Sequence, residues 1–144
     1  MVKKILVGIL VVIVVCVIAL QFVPYGHAHT NPPVQAEPKW DSQQTRDLAK
    51  RACFDCHSNE TVWPWYSNIA PVSWLIQRDV DEGRSRLNFS EWNSPQPEAR
   101  GAARQIQRGE MPLPNYLMMH PSAKLSSDEA QALIRGLNTS LAQQ

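Results

Sequence analysis

Cys53-Phe54-Asp55-Cys56-His57 is the stretch of the chain that carries its most specific chemical motif. It lies at the end of a predicted helix over Ser42–Asp55, whose apolar residues and both cysteines fall on one side. Two thiols one helical turn apart, followed directly by an imidazole, rarely arise by chance in a chain of 144 residues. The pattern therefore indicates a chemical site at the end of this helix.

This C-x-x-C-H spacing favours covalent attachment of a haem. Cys53 and Cys56 can each bond to a vinyl group on one edge of the macrocycle, and His57 follows where its imidazole can ligate the iron. A zinc site would need a second pair of thiols or histidines. A thioredoxin-like dithiol would need a βαβ context, and a disulfide between the two cysteines has no use for the histidine. We therefore predict one haem c on these three residues.

A second iron ligand is predicted further along the chain, in Gly109-Glu110-Met111-Pro112. A proline disfavours helical backbone at the residue before it, so Met111 should lie in an extended loop able to cross a flat cofactor. We predict that Met111 binds the iron opposite His57. The alternatives are an open position or one of three later side chains: Met118, Met119 and His120.

The N-terminal region predicts export and anchoring. Residues 5–23 form an uncharged run of nineteen residues, long enough to cross a bilayer. Lys3 and Lys4 precede the run, which favours a cytoplasmic stub over residues 1–4 and a single-pass helix in the cytoplasmic (inner) membrane. Everything after Val23 is then periplasmic. A cleaved signal peptide, with Gly26-His27-Ala28 as its cleavage site, is the alternative.

The rest of the chain is predicted to be a proline-rich linker over 24–39 and an all-α, c-type haem-binding domain over 40–144. His27 and His29 could bind a metal, but a linker role fits them better. Four helices are expected, from the periodicity of apolar residues and from a capping box at Ser126 and Glu129. Their approximate ranges are 42–55, 71–83, 96–108 and 126–141. Loops are expected at 59–70 and 110–122, and residues 87–92 show no clear preference.

All five tryptophans lie outside the N-terminal apolar run, in a domain with few aliphatic residues. We expect Trp63-Pro64-Trp65-Tyr66, Trp74 and Trp92 to line the haem and fill the core, where an indole N–H or the Tyr66 hydroxyl could bond a propionate. The arginines at 78, 84, 86, 100, 104 and 108 lie mostly on polar helix faces and are expected to be solvated, although one of them could pair with a propionate.

Together these motifs resemble a known family, the haem-binding domain family of small exported bacterial proteins, which is similar to cytochrome c. The resemblance covers about residues 40–141 and is carried by four stretches: 53–57, 63–74, 83–92 and 109–116. It implies thioether links at Cys53 and Cys56, with His57 and Met111 as iron ligands. One feature departs from small cytochromes c, because the last helix has no aromatic residue to pack on the first. Leu133 or Leu137 must take that place.

These features predict a membrane-anchored monohaem cytochrome that transfers electrons by an outer-sphere route, and not an enzyme. The expected partners are redox proteins at the membrane and the haem-attachment machinery. A formal net charge of +1 argues against nucleic-acid binding. The main alternative is a haem-based gas or redox sensor whose distal position is open or labile. A peroxidase is disfavoured, since His120 would be the sole distal acid–base histidine.

Overall fold

The computed structural model describes residues 2–142; Met1 of the predicted stub and Gln143–Gln144 of the predicted domain lie outside the described residues. The described chain is helical and contains no β-strand, although Ala36 and Glu91 form one isolated parallel bridge. The all-α prediction is therefore confirmed. The α-helices are α1 (Val2–Leu20), α2 (Gln43–Ala52), α3 (Phe54–His57), α4 (Val72–Arg86), α5 (Ala102–Gln107), α6 (Pro114–Met119) and α7 (Ser127–Ser140).

The chain divides into two compact units. The first comprises residues 1–30 and 63–79, and the second comprises residues 31–62 and 80–144. In the first unit, α1 is apolar apart from Lys3 and Lys4, and none of its residues is buried. At 1.5 Å per residue it is about 28 Å long. Within the described residues it is the one helix long and apolar enough to cross a membrane.

The second unit is built on the packing of α2 against α7. Gly136 of α7 lies so close to Thr45 of α2 that a methyl group at position 136 would overlap the threonine side chain. Leu133 and Leu137 flank this point and are almost completely buried. α7 thus packs on α2 at Gly136, and Leu133 and Leu137 lie in the same buried cluster as Leu48 and Ala49 of α2. The sequence analysis expected Leu133 or Leu137 here and did not predict the glycine.

Both predicted helix ends beside the chemical motif differ from the structure. The helix expected over 42–55 ends at Ala52, because Cys53 leaves helical geometry at φ −129° and starts the short α3. The helix expected to stop at Gly83 continues to Arg86. Gly83 lies inside α4 and does not end it. Its lack of a side chain lets the helix contact the Cys56 carbonyl group.

The later helices also differ in detail. The helix predicted over 96–108 is a 3₁₀ turn, Ala99–Gly101, followed by the six-residue α5. The loop predicted over 110–122 contains α6, which starts with Pro114 in its first turn, a favoured position for proline. The capping box at Ser126 and Glu129 is confirmed at the start of α7. Six α-helices therefore follow α1, where four were expected.

Residues 31–39 have no regular structure but are hydrogen-bonded within the second unit. Asn31 donates to the Thr61 carbonyl at 2.9 Å, and the backbone of Ala36 exchanges hydrogen bonds with Ser90 and Trp92. Where the sequence predicts a free linker over 24–39, the structure therefore holds its second half against the unit that carries the C-x-x-C-H motif.

Candidate functional site

The two cysteines of the motif lie at the junction of α2 and α3. Both are half-buried, and neither forms a disulfide. Burial raises the pKa of Cys53 to about 12, and the neighbouring Cys56 adds to this effect. Since thiol–disulfide exchange requires a thiolate, a raised pKa disfavours the dithiol alternative. Residues 2–142 also contain no cluster of three or more His, Cys, Asp or Glu side chains placed to hold a metal ion.

His57 is oriented by two backbone carbonyl groups. Its Nδ1 lies 3.1 Å from the oxygen of Gly83 and 3.0 Å from the oxygen of Leu87. Because a carbonyl oxygen can only accept a hydrogen bond, Nδ1 must carry the hydrogen. Burial lowers the pKa of His57, so the neutral imidazole is favoured and its Nε2 keeps a free lone pair. This arrangement is typical of a histidine that ligates a metal through Nε2.

Gly83 allows α4 to reach the motif. A methyl group at this position would overlap the carbonyl group of Cys56, so any larger residue would push the helix and the motif apart. The close approach places the Gly83 carbonyl within reach of His57. The glycine predicted to end a helix therefore has a role in positioning the imidazole.

The sequence left the structure of residues 87–92 open. Part of this stretch is hydrogen-bonded to His57 and Asn59. The Phe89 N–H donates to the His57 carbonyl at 2.8 Å, and the Asn59 N–H donates to the Ser90 hydroxyl at 2.9 Å. The Asn88 amide donates to the Asn59 side chain at 2.9 Å. Asn59, Asn88 and Ser90 are all buried. This polar network holds His57 from its backbone as well as from its ring.

Arg84 connects α4 to the same region. Its guanidinium donates to the Ser58 carbonyl at 2.8 Å and to the Thr61 and Asn31 side chains at 2.9 Å each. Burial lowers its pKa from the ordinary arginine value. The expectation of a solvated arginine is therefore wrong for Arg84, which braces the loop after His57.

Tyr116 of α6 reaches the centre of the motif. Its hydroxyl donates to the Asp55 carboxylate at 2.7 Å, while the other oxygen of this carboxylate accepts the Val62 N–H at 3.0 Å. Burial, followed by the bond to Asp55, raises the pKa of Tyr116 well above its ordinary value. The hydroxyl therefore stays protonated and can donate throughout the neutral range.

Met111 follows the end of α5. Gly109 adopts a left-handed conformation at φ +70°, and the next two backbone N–H groups both donate to the Gln105 carbonyl, at 2.9 Å from Glu110 and 3.3 Å from Met111. The Met111 side chain is half-buried. Two of the alternative ligands, Met118 and Met119, are 82% and 59% exposed.

His120, the remaining alternative, is held by Tyr116. The two rings stack at 4.2 Å between centroids, and the His120 Nδ1 lies 3.2 Å from the Tyr116 carbonyl oxygen. Its ring is thus oriented from α6, as the ring of His57 is oriented from α4.

A comparison with protein-family models decides the family. The model described as "Haem-binding domain" matches residues 15–139, most of the chain. The chain belongs to this haem-binding domain family. No curated protein and no solved structure gives a significant match. The family match begins inside α1, further toward the N-terminus than the resemblance recognised over 40–141.

The residues around His57 suit the haem that the family binds. Nitrogen from a neutral imidazole is a common haem iron ligand, and its other ring nitrogen is normally fixed by an acceptor, as it is here by Gly83 and Leu87. A side chain at position 83 would overlap the Cys56 carbonyl group, so the fold brings the backbone of α4 into direct contact with the motif.

The first unit contains the aromatic residues that the sequence analysis placed near the haem. Trp63 stacks on His29 at 4.5 Å, and the His29 Nε2 lies 2.9 Å from the Ser67 carbonyl oxygen. The indole N–H groups of Trp63 and Trp74 are buried without a hydrogen-bond partner among the described residues. An indole–propionate bond in this haem-binding protein stays a prediction.

Several residues of this candidate site were not identified from the sequence as site residues. They are Asp55, Gly83, Leu87, Asn88, Ser90 and Tyr116. All six lie in the stretches quoted for the family resemblance (53–57, 83–92 and 109–116), but no local pattern gave them a role. Leu87 contributes only a backbone oxygen, which no residue type reveals.

Proposed function

We propose that this haem-binding protein is a membrane-anchored monohaem c-type cytochrome that passes single electrons between redox proteins, without making or breaking bonds in a substrate. The observation that carries the proposal is the pair of carbonyl groups at His57 Nδ1, which leaves Nε2 as an iron ligand directly after two cysteines. Haem iron supplies one-electron redox chemistry when it is bound.

Cys53 and Cys56 are the residues that would hold the haem covalently. Cys53 directly precedes the short α3, and Cys56 and His57 lie within it, so attachment at both sulfurs would fix the macrocycle relative to the imidazole.

Met111 is proposed as the second residue that would hold the haem iron. Its side chain is half-buried, and its backbone is held by Gln105 just after the turn at Gly109. Ligation by both His57 and Met111 would leave no iron position for a substrate, which favours electron transfer over catalysis and raises the reduction potential.

The location follows from α1. We propose that α1 spans the inner membrane, because its 19 residues carry charge only at Lys3 and Lys4. This charge keeps the N-terminus in the cytoplasm and places the haem-binding domain on the periplasmic side. Partners are then redox proteins of the same membrane or of the periplasm.

The first experiment is to record oxidised and reduced absorption spectra of the full chain, made with haem-attachment machinery and purified in detergent. Covalent haem that survives denaturation supports attachment, and it should be lost in Cys53→Ala and Cys56→Ala. Cys16→Ala is the matched control, because Cys16 lies in α1 and should not affect haem content.

The same spectra test the distal ligand. A low-spin ferric spectrum with a weak sulfur-to-iron charge-transfer band is expected, and Met111→Ala should abolish that band. Met118→Ala is the control, since this thioether is 82% exposed. Loss of the low-spin spectrum in His120→Ala instead would assign the ligand to His120. A high-spin spectrum that changes readily with carbon monoxide would contradict electron transfer and support the sensor alternative.

A further inference from the structure

The region just after α1 is tied to residues 63–79 within the first unit. The Gln21 side-chain amide donates to the Ala70 carbonyl and its oxygen accepts the Ala70 N–H, each at 3.0 Å. Gly26 lies so close to Ser73 that a methyl group on it would come within 2.8 Å of the Ser73 carbonyl. We call residues 63–79 the tryptophan segment. These contacts fix it at the end of α1.

The tryptophan segment exposes apolar side chains that the first unit does not cover. Trp65 is 75% exposed, Leu75 is 51% exposed, and Ile69 and Val72 are each more than 40% exposed. The sequence carries no charged residue between Trp63 and Gln77. A contiguous uncharged stretch with several exposed large apolar groups is typical of a surface that contacts a partner or a lipid.

The residues that follow α1 also include exposed apolar side chains. Phe22 is 83% exposed and Tyr25 is 47% exposed. Aromatic side chains are enriched at the level of the lipid headgroups, where a spanning helix leaves the bilayer. Gln21 is the first residue after α1, so it would lie at that level if α1 spans the membrane. Its bonds to Ala70 then bring the tryptophan segment to the same level.

We propose that the tryptophan segment is a second membrane contact, which rests on the bilayer surface through Ile69, Val72 and Leu75. This inference depends on the proposed spanning role of α1 and adds an interaction surface to it. The occupant is lipid, because Gln21 and Gly26, which hold the segment at Ala70 and Ser73, directly follow the apolar α1. The phenol ring of Tyr25 suits the interface, since it combines an apolar ring with one polar group. This second contact would restrict the rotation and tilting of the first unit relative to the bilayer surface.

The test is site-specific photocrosslinking of the full, haem-loaded chain in nanodiscs of phosphatidylcholine and phosphatidylglycerol. p-Benzoylphenylalanine replaces Val72 or Leu75, one at a time, and lipid adducts are measured by mass spectrometry after illumination. Replacement of Val14, inside α1, reports whether the span is in lipid. Replacement of Asp128, an exposed acidic residue of α7, sets the background. The haem spectrum of each variant verifies folding.

We expect lipid adducts at 72 and 75 several-fold above those at 128, together with strong adducts at 14. Adducts at 14 with only background at 72 and 75 would overturn the second contact while leaving the anchor intact. Crosslinks from 72 or 75 to protein instead of lipid would also overturn it. Background at 14 would show that α1 is not in the membrane, and both proposals would fail.

Discussion

The Tyr116 hydroxyl lies 2.7 Å from the Asp55 carboxylate and so joins α6 to the centre of the C-x-x-C-H motif across 61 residues of sequence. Asp55 occupies a position between the two cysteines that the motif itself leaves unspecified. The bond therefore attaches the segment that follows Met111 to the helix that carries His57. Asp55 lies two residues before His57 and Tyr116 lies five residues after Met111, so the bond links the chain near one proposed ligand to the chain near the other.

Tyr116→Phe should lower the stability of the domain by about 1 kcal/mol, because it removes one partly buried hydrogen bond to a carboxylate. We also expect a weaker sulfur-to-iron charge-transfer band, since α6 would be less firmly held beside α3. Urea unfolding followed by the haem absorbance measures the first effect, and the ferric spectrum measures the second. Tyr25→Phe is the control, because Tyr25 is 47% exposed. An unchanged band with reduced stability would limit Tyr116 to a structural role.

Gly83→Ala should separate α4 from the motif, because the added methyl group would overlap the Cys56 carbonyl. We expect a loss of about 1–3 kcal/mol in the free energy of unfolding, as for other overpacked sites, and a lower yield of haem-loaded protein. Gly101→Ala is a matched control, since a methyl group there has no atom within 4 Å. Equal haem content in the two variants would show that the close approach is not needed.

Asn88→Ala should remove the buried amide that bonds both Asn59 and the Ser90 N–H. Two buried polar groups would then lack a partner, at a cost of about 1–3 kcal/mol. Thermal unfolding of the haem-loaded chain measures this loss. Asn93→Ala provides the comparison, because Asn93 makes one exposed hydrogen bond to Gln35. If both variants unfold alike, the network contributes nothing to the stability of the site.

The free energy of unfolding should decrease at low pH, in part because Glu37 becomes protonated. Two hydrogen bonds from Arg46, with a third from the Trp40 indole, lower the pKa of this carboxylate in the folded protein. Its contribution is complete above the unfolded pKa of 4.5 and is lost as the pH falls through the lower, folded pKa. Glu37→Gln should therefore reduce the free energy of unfolding at pH 7 by on the order of 1 kcal/mol and flatten its slope below pH 4.5.

Urea unfolding at a series of pH values measures this slope. Glu110→Gln is the control, because this carboxylate is more than half exposed and its side chain lies 4.0 Å from Arg108. An equal slope in the wild type and Glu37→Gln would contradict the assignment of acid sensitivity to this group.

Local patterns were sufficient for several features. The run over 5–23 has enough consecutive apolar residues for a span, and Ser126 with Glu129 predicted the start of α7, because both signals lie within a few neighbouring residues. The C-x-x-C-H motif likewise indicated haem binding, which the family match confirms. The short helices were predicted less well. α3 and α6 have too few residues to show periodicity, and tertiary contacts stabilise them.

The sequence by itself determined the helical class, the apolar N-terminal helix and the family to which the domain belongs. Only the tertiary structure decided which groups orient His57. These are carbonyl groups 26 and 30 residues away, at Gly83 and Leu87, and every residue has such a carbonyl. The same holds for the bond from Tyr116 to Asp55. Contacts of this kind depend on how helices pack, and helix packing brings together groups whose separation along the chain carries no periodic signal.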